Sequence, residues 1–183
     1  MYRFEDVRIR KFRFEDIPLK IEWINKAENN TYLGYDLPLE YEKTCRWFDS
    51  IKDRSDRFDA VVEYFEKPVG LVGLVNIDRK NLKASDYIVI GDLSVRGRGL
   101  GLKAGQLNFL HAYHDLGMNK LYGFIEVGNV ESMKRTRRLG GHVEGYLRDD
   151  RWKDGHPVDT YAVGYYREEF TMPDGVYWEE DEV

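Results

Sequence analysis

A chain of 183 residues is long enough for one domain with a substantial core. At 42% hydrophobic and 33% charged, with a net charge of −5, it reads as globular, and the acidic balance argues against nucleic acid as the main partner. Cys45 is the only cysteine, which excludes an intrachain disulfide and fits a reducing, cytoplasmic compartment.

The opening residues, Met1–Asp6, hold no apolar run of the signal-peptide kind, and no stretch approaches the ~18 apolar residues of a membrane span. Val7–Phe14 alternates as a strand, with a phase slip that predicts a bulge near Arg10-Lys11. Asp16 is placed to cap a helix over Ile17–Glu28. Leu39–Arg54 is a second helix, with Tyr41, Cys45, Phe48 and Ile51 on one face. Arg57–Phe65 and Pro68–Ile77 form a hairpin across Glu66-Lys67. Asp86–Val95 is a strand, Gly97–Gly101 a glycine loop and Leu100–Leu116 a helix stopped by Gly117. Lys120–Val127 is a buried strand, and Val130–Leu139 is a short helix before Gly140-Gly141. His142–Tyr146 and Val158–Phe170 complete an antiparallel pair. The order predicts an α+β fold, a single domain with a mixed central sheet flanked by helices. Residues 173–183 read as an acidic, flexible tail, with Tyr177 and Trp178 as candidates for docking on a partner.

The chemistry-bearing segment is Leu93-Ser94-Val95-Arg96-Gly97-Arg98-Gly99-Leu100-Gly101-Leu102. Glycines there let a ligand approach the backbone closely, and the following helix start offers N–H groups and a dipole to an anion. Arg96, Arg98 and Lys103 add positive charge, so a pyrophosphate is the natural guest. The spacing does not fit a Walker-type nucleotide loop. Gly99, Gly101 and Ala104, with Glu126 downstream, match a dinucleotide loop, but that fold needs a longer alternation of strands and helices.

Arg96-Gly97-Arg98-Gly99-Leu100-Gly101 resembles the pyrophosphate signature of the GNAT N-acetyltransferases, Gln/Arg-x-x-Gly-x-Gly/Ala. Asn129-Val130-Glu131-Ser132, Leu139-Gly140-Gly141 and Glu144-Gly145 resemble that family's second block, and Gly155 with Asp159-Thr160-Tyr161 its closing strand. The likeness spans about Val7 to Phe170 and is strongest to the branch of ribosomal-protein N-terminal, polyamine and amino-sugar acetyltransferases. It implies an N-acetyltransferase domain over residues 1–172 that moves acetyl from acetyl-CoA to a primary amine. The alternative is a non-catalytic acyl-CoA-binding module. Two positions depart from the pattern: Gly141 stands where the family carries Phe, and Thr136 where many members carry a proton-donating Tyr.

A primary amine with a pKa near ~10 is about one part in a thousand neutral at pH 7, so transfer needs a base. The resemblance points to Asp86 for that role, directed into the acceptor cleft; a solvated strand-end acid is the other reading. It places the cofactor on Leu93–Leu102, with N–H groups of the Asp92–Val95 strand facing the thioester oxyanion. Asn129 is read as a partner of the pantetheine arm or as a turn residue. Ser132 is read as touching the cofactor or leaving sulfur, or as helix surface. Lys134, Arg135, Arg137 and Arg138 are a solvated helix face or a grip on the 3′-phosphate. His111, His114 and Asp115 share a helix face but lack further ligands, so no metal is expected.

Trp23, Asn30, Tyr32 and Tyr161 are the candidate acceptor contacts. The first helix and its loop offer Trp23, Asn25, Asn29, Asn30, Thr31, Tyr32 and Tyr35, against only Glu22, Glu28 and Asp36 as acids. A polyamine site should be richer in carboxylates, so an amino sugar is expected first and a protein or peptide N-terminus next. A homodimer is compatible with this reading. No nucleic acid and no membrane enter it.

Overall fold

The computed structural model describes residues 1–178. The chain runs β1 (Tyr2–Phe4), β2 (Val7–Lys11), α1 (Ile17–Asn25), α2 (Ala27–Asn30), α3 (Tyr41–Ile51), β3 (Phe58–Tyr64), β4 (Lys67–Asp78), β5 (Lys83–Ile90), α4 (Leu100–Leu110), β6 (Lys120–Glu126), α5 (Val130–Arg138), β7 (His142–Lys153), β8 (His156–Tyr166) and β9 (Val176–Trp178). The described strands make one mixed sheet in the order β7-β8-β6-β5-β4-β3-β2-β1-β9. Only β5 and β6 pair in parallel, as a connection through α4 requires.

Helices cover both faces of this sheet. On one, α4 packs Leu100, Ala104 and Leu107 against Val7, Ile9, Val62 and Val72. Further along that face, Phe109, Tyr113, Leu121, Val163 and Tyr165 form a second core under α4 and α5. On the other face, Trp23 and Ile24 of α1 and Phe48 of α3, with Phe12 just after β2, cover Val61, Leu71, Tyr87 and Val89. That cover stops at β5, and Phe124 on β6 is 43% exposed on the same side.

Several sequence expectations are corrected. The β2–β3 register is unbroken from Val7–Tyr64 to Lys11–Ala60, so no bulge sits at Arg10-Lys11. The strand instead ends at Lys11, and Phe12 turns into the core while its N–H donates to Asp59 O at 2.9 Å. Asp16 stands at the N-cap position of α1 as expected, but it ends a 3-10 turn and its side chain makes no capping bond to the helix. Arg10 holds its carboxylate at 2.8 Å through both Nη atoms, and the Arg13 N–H donates to it at 2.8 Å. The first helix breaks at Lys26, whose ψ of 127° is extended. β5 begins at Lys83 and ends at Ile90, so Asp86 lies inside the strand and Leu93–Val95 is a 3-10 turn. Val176–Trp178, expected in a flexible tail, pairs with Tyr2–Phe4 as an edge strand; residues 179–183 lie outside the described residues.

Tyr165 accounts for Gly141. A Cβ at Gly141 would lie 2.5 Å from Tyr165 Cε1 and 2.6 Å from Thr136 Cγ2. The Tyr165 hydroxyl is 2.9 Å from Thr136 Oγ1, both groups being buried. Gly141→Ala should therefore destabilise the fold by about 1–3 kcal/mol through overpacking, read as a lowered Tm in thermal unfolding. Combined with Tyr165→Ala, which vacates the space, the loss should be smaller than the sum of the two single losses.

Candidate active site

The site is built where two strands part. β5 and β6 pair only over Lys83–Lys120, Ala84–Leu121 and Ser85–Tyr122. Beyond Ser85 and Tyr122 they diverge, so β5 keeps β4 and β6 keeps β8 while their facing edges lose each other. In a strand, alternate residues turn both N–H and C=O to one side, so each edge offers unpaired polar groups to whatever enters. Asp86 and Gly123 stand at the apex of this split. A Cβ at Gly123 would lie 3.5 Å from Asp86 Oδ1, so the absence of a side chain there leaves the carboxylate its space.

Asp86 follows Ala84 and precedes Ile88, both packed on the α4 side. Burial pushes its carboxyl up to about 6, against the opposing field of Arg135. Its own backbone N–H is the partner that favours the ionised form. Burial, then the Asp86 charge, raises the Tyr113 and Tyr165 hydroxyls well above the usual tyrosine range. Tyr113 Oη and Arg135 Nε are buried without a formed hydrogen bond. A half-buried carboxylate able to exchange a proton near neutrality thus sits among under-satisfied donors at the head of an open split.

At the far end of β5 the chain makes its anion loop. Gly97 and Gly99 have φ of 78° and 76°, which only glycine adopts freely, and a Cβ on either meets nothing within 4 Å. The first bonds of α4 run from the Leu102 and Lys103 N–H groups to Gly99 O, so the preceding N–H groups are left for a guest. The loop has the form of an anion site, which a pyrophosphate would fit. Its cations divide the work. Arg96 donates to Glu28 O at 3.0 Å and to Asn29, tying the loop to α2. Lys103 pairs with Glu5, and Arg98 is exposed.

The Leu93–Val95 turn does not offer the expected strand edge to an oxyanion. The Asp92 carboxylate accepts from the Ser94 N–H at 2.9 Å and from its hydroxyl at 2.7 Å. The free edge is Asp86–Ile90 instead. Asn129 caps α5, its Oδ1 accepting from the Ser132 N–H at 3.1 Å. Ser132 Oγ accepts from Arg135 at 3.2 Å. Within the basic run, Lys134 pairs with Glu131 and Arg137 and Arg138 are exposed, whereas Arg135 alone turns inward, with its Cδ beside Gly101.

The acceptor candidates separate. Trp23 is 3% exposed and packs under Gly91, so it is a core residue. Tyr161 lies on the α4 and α5 side, edge-on to Tyr146. Asn30 ends α2, and Tyr32 beyond it reaches the end of β6, where its Oη donates to Gly128 O at 3.2 Å. Sequence reasoning missed Tyr122 and Phe124, which face the uncovered side of β6, and Lys153, which reaches Glu126 at 3.1 Å and Thr31 O. Gly123 inside an apolar strand was the available signal.

The family model described as an acetyltransferase (GNAT) domain matches residues 6–142. The chain belongs to this family. It is an acetyl-CoA-dependent N-acetyltransferase. It is 29% identical to the spermidine N(1)-acetyltransferase of Escherichia coli K12, over 90% of this chain and 88% of that one. It is 23% identical to an uncharacterized N-acetyltransferase, p20, of Bacillus licheniformis, over 91% and 96%. The spermidine N-acetyltransferase of Vibrio cholerae, solved with CoA and spermine, superposes with a TM-score of 0.84 at 18% identity, covering 90% of this chain and 98% of that one.

The loop assignment has a direct check. Gly99→Glu puts a carboxylate and an unfavourable φ where the phosphates would lie, and calorimetry should show acetyl-CoA affinity reduced by at least about tenfold.

Proposed function

We propose that this GNAT enzyme acetylates the primary amine of an amino sugar, with Asp86 taking the amine proton. The observation that carries the reading is the apex of the split. Asp86 stands there over Gly123, between the phosphate loop and an uncovered aromatic face. Acetyl-CoA supplies the thioester. The chain binds its phosphates at the loop and holds the pantetheine amides along the free Asp86–Ile90 edge. Asp86 removes a proton from the incoming ammonium, the neutral nitrogen attacks the thioester carbon, the C–S bond breaks, and the nitrogen's second proton goes to the departing thiolate.

The uncovered face carries Tyr122 and Phe124, edge-on at 6.0 Å, with Tyr32 beyond them. Rings of this kind suit the apolar face of a sugar. The carboxylates there are neutralised: Glu126 by Lys153 at 3.1 Å, Glu144 by Lys120 at 2.6 Å and Asp59 by Arg57 at 2.6 Å. A polycation finds little free negative charge on it. Spermidine, the substrate named for two relatives, is the second reading, and the exposed Glu28 and Asp36 in and after α2 favour it. A peptide α-amine comes after these.

A competitive panel of amino sugars, spermidine and short N-terminal peptides, scored by kcat/KM, tests the acceptor. Amino sugars should lead; a tenfold advantage for spermidine or a peptide overturns that part and leaves the transferase standing. Asp86→Asn should lower kcat at pH 7 by about 10²-fold with acetyl-CoA affinity nearly unchanged. In the wild type, kcat/KM should fall as pH drops through about 6, where the carboxyl protonates, provided Asp86 is the base. An acid limb that persists in Asp86→Asn assigns the proton to another group.

A further inference from the structure

Two neighbouring hollows lie along β5 and β6, the inner one reaching Gly123 at the split and the outer one lying at the start of β5. The inner one, about 250 Å³, is lined by Lys83, Lys120, Tyr122, Gly123 and Phe124 among others. The outer one, about 600 Å³, shares Lys83 and Tyr122 with it and continues past Arg79, Lys80, Asp56 and Asp78. The outer volume lies within the range of small-molecule sites.

The cations of the outer hollow form no ion pair with its carboxylates; after the Asn81 and Lys80 hydrogen bonds, Lys83 contributes only its field to holding Asp78 below the usual carboxylate range. Asp78 is consumed locally: it accepts from the Lys80 N–H at 3.0 Å, the Asn81 N–H at 2.9 Å and Asn81 Nδ2 at 2.6 Å. Asp56 is taken by Arg54. Among the described residues no carboxylate pairs with Arg79, Lys80 or Lys83. Lys83 instead lies 5.7 Å from the Tyr122 ring centroid. Three unpaired cations therefore border a hollow beside an aromatic platform, in a chain whose net charge is −5. They lie at the opposite end of β5 from the glycine loop, so coenzyme A phosphates held at that loop leave them unmatched.

We propose that this hollow binds a phosphate or diphosphate group carried by the acceptor, held by Arg79, Lys80 and Lys83. The inner hollow then leads the amine along Tyr122 to Gly123 and Asp86. The inference rests on the amino-sugar reading and narrows it to a phosphorylated or nucleotide-linked sugar. Guanidinium and ammonium groups recognise phosphate oxygens by charge-assisted hydrogen bonds, and Tyr122 offers a stacking surface for a sugar or base.

The first measurement is calorimetric titration of inorganic pyrophosphate into the enzyme saturated with coenzyme A, which blocks the glycine loop. Binding is expected, weakening with added salt, and at least about tenfold weaker in Lys83→Gln and in Arg79→Gln/Lys80→Gln. These side chains are exposed, so the variants should fold; far-UV circular dichroism checks this. The second measurement compares an amino sugar, its 1-phosphate and its nucleoside diphosphate form. The phosphorylated acceptors should gain at least about tenfold in kcat/KM and lose that gain in the variants through KM. The 1-phosphate and nucleotide arms separate a sugar phosphate from a nucleotide sugar. If amino sugars turn over with no benefit from phosphate, the hollow is not a phosphate site and the acceptor reading stands. If the variants abolish pyrophosphate binding while no amino sugar turns over, the acceptor reading fails and the anion site stands. No pyrophosphate binding to the saturated wild type overturns the site.

Discussion

A parallel strand pair that lasts for three residues and then opens governs this molecule. Backbone N–H and C=O groups removed from water need partners, and an edge that loses its neighbour inside a sheet leaves a row of them. The fold tolerates this between β5 and β6 because each strand is anchored on its other side, β5 to β4 and β6 to β8. The glycine loop depends on the same divergence. β5 must leave the sheet at Ile90 for the chain to turn through Leu93–Val95 into α4, whose start then points at the open end. On the proposed reading, the pyrophosphate of coenzyme A would meet the helix start and its amides would replace the missing strand-to-strand bonds.

Packing behind the split shows what stands beside the two positions that depart from the family pattern. The ring of Tyr165, reaching across from β8, occupies the volume a side chain at Gly141 would need, and its hydroxyl meets Thr136. One bulky residue thus stands in for an anchor on the following strand and places a phenol near the helix position where the family pattern carries its own. Gly105 does similar work on α4, where a Cβ would come within 2.9 Å of Leu139 Cδ1, so α4 meets the end of α5 closely.

Much of this was legible in the sequence because it is written in short-range patterns. The apolar strand, alternating glycines and amphipathic α5 gave the class, the element order and the anion loop. What escaped depends on partners far apart in the chain. Asp16 looked like a cap because only the fold brings Arg10 onto its carboxylate. The tail looked flexible by composition, yet Val176–Trp178 finds the free edge of β1. The strand ending in the loop looked five residues longer because Asp92 and Ser94 continue the polar and apolar alternation while closing a turn of their own. Trp23 resembled a stacking residue until Gly91 gave it a place in the core.

The electrostatics of Asp86 connect stability to chemistry. A carboxyl raised to about 6 is above its unfolded value, so the folded chain holds that proton more tightly between about pH 4 and 6. Stability therefore declines as pH rises through that window, and above it the ionised carboxylate is a standing cost to the fold. Arg135 offsets part of that cost from α5 without closing an ion pair. A tight pair would bring the pKa back toward the ordinary range and leave a weaker base. A fully apolar surround would hold the group protonated at neutral pH and leave no base at all. The intermediate arrangement, a half-buried acid in the field of an arginine whose guanidinium donates to Ser132, would on the proposed reading keep the carboxylate ionised yet basic at the apex where the two strands part.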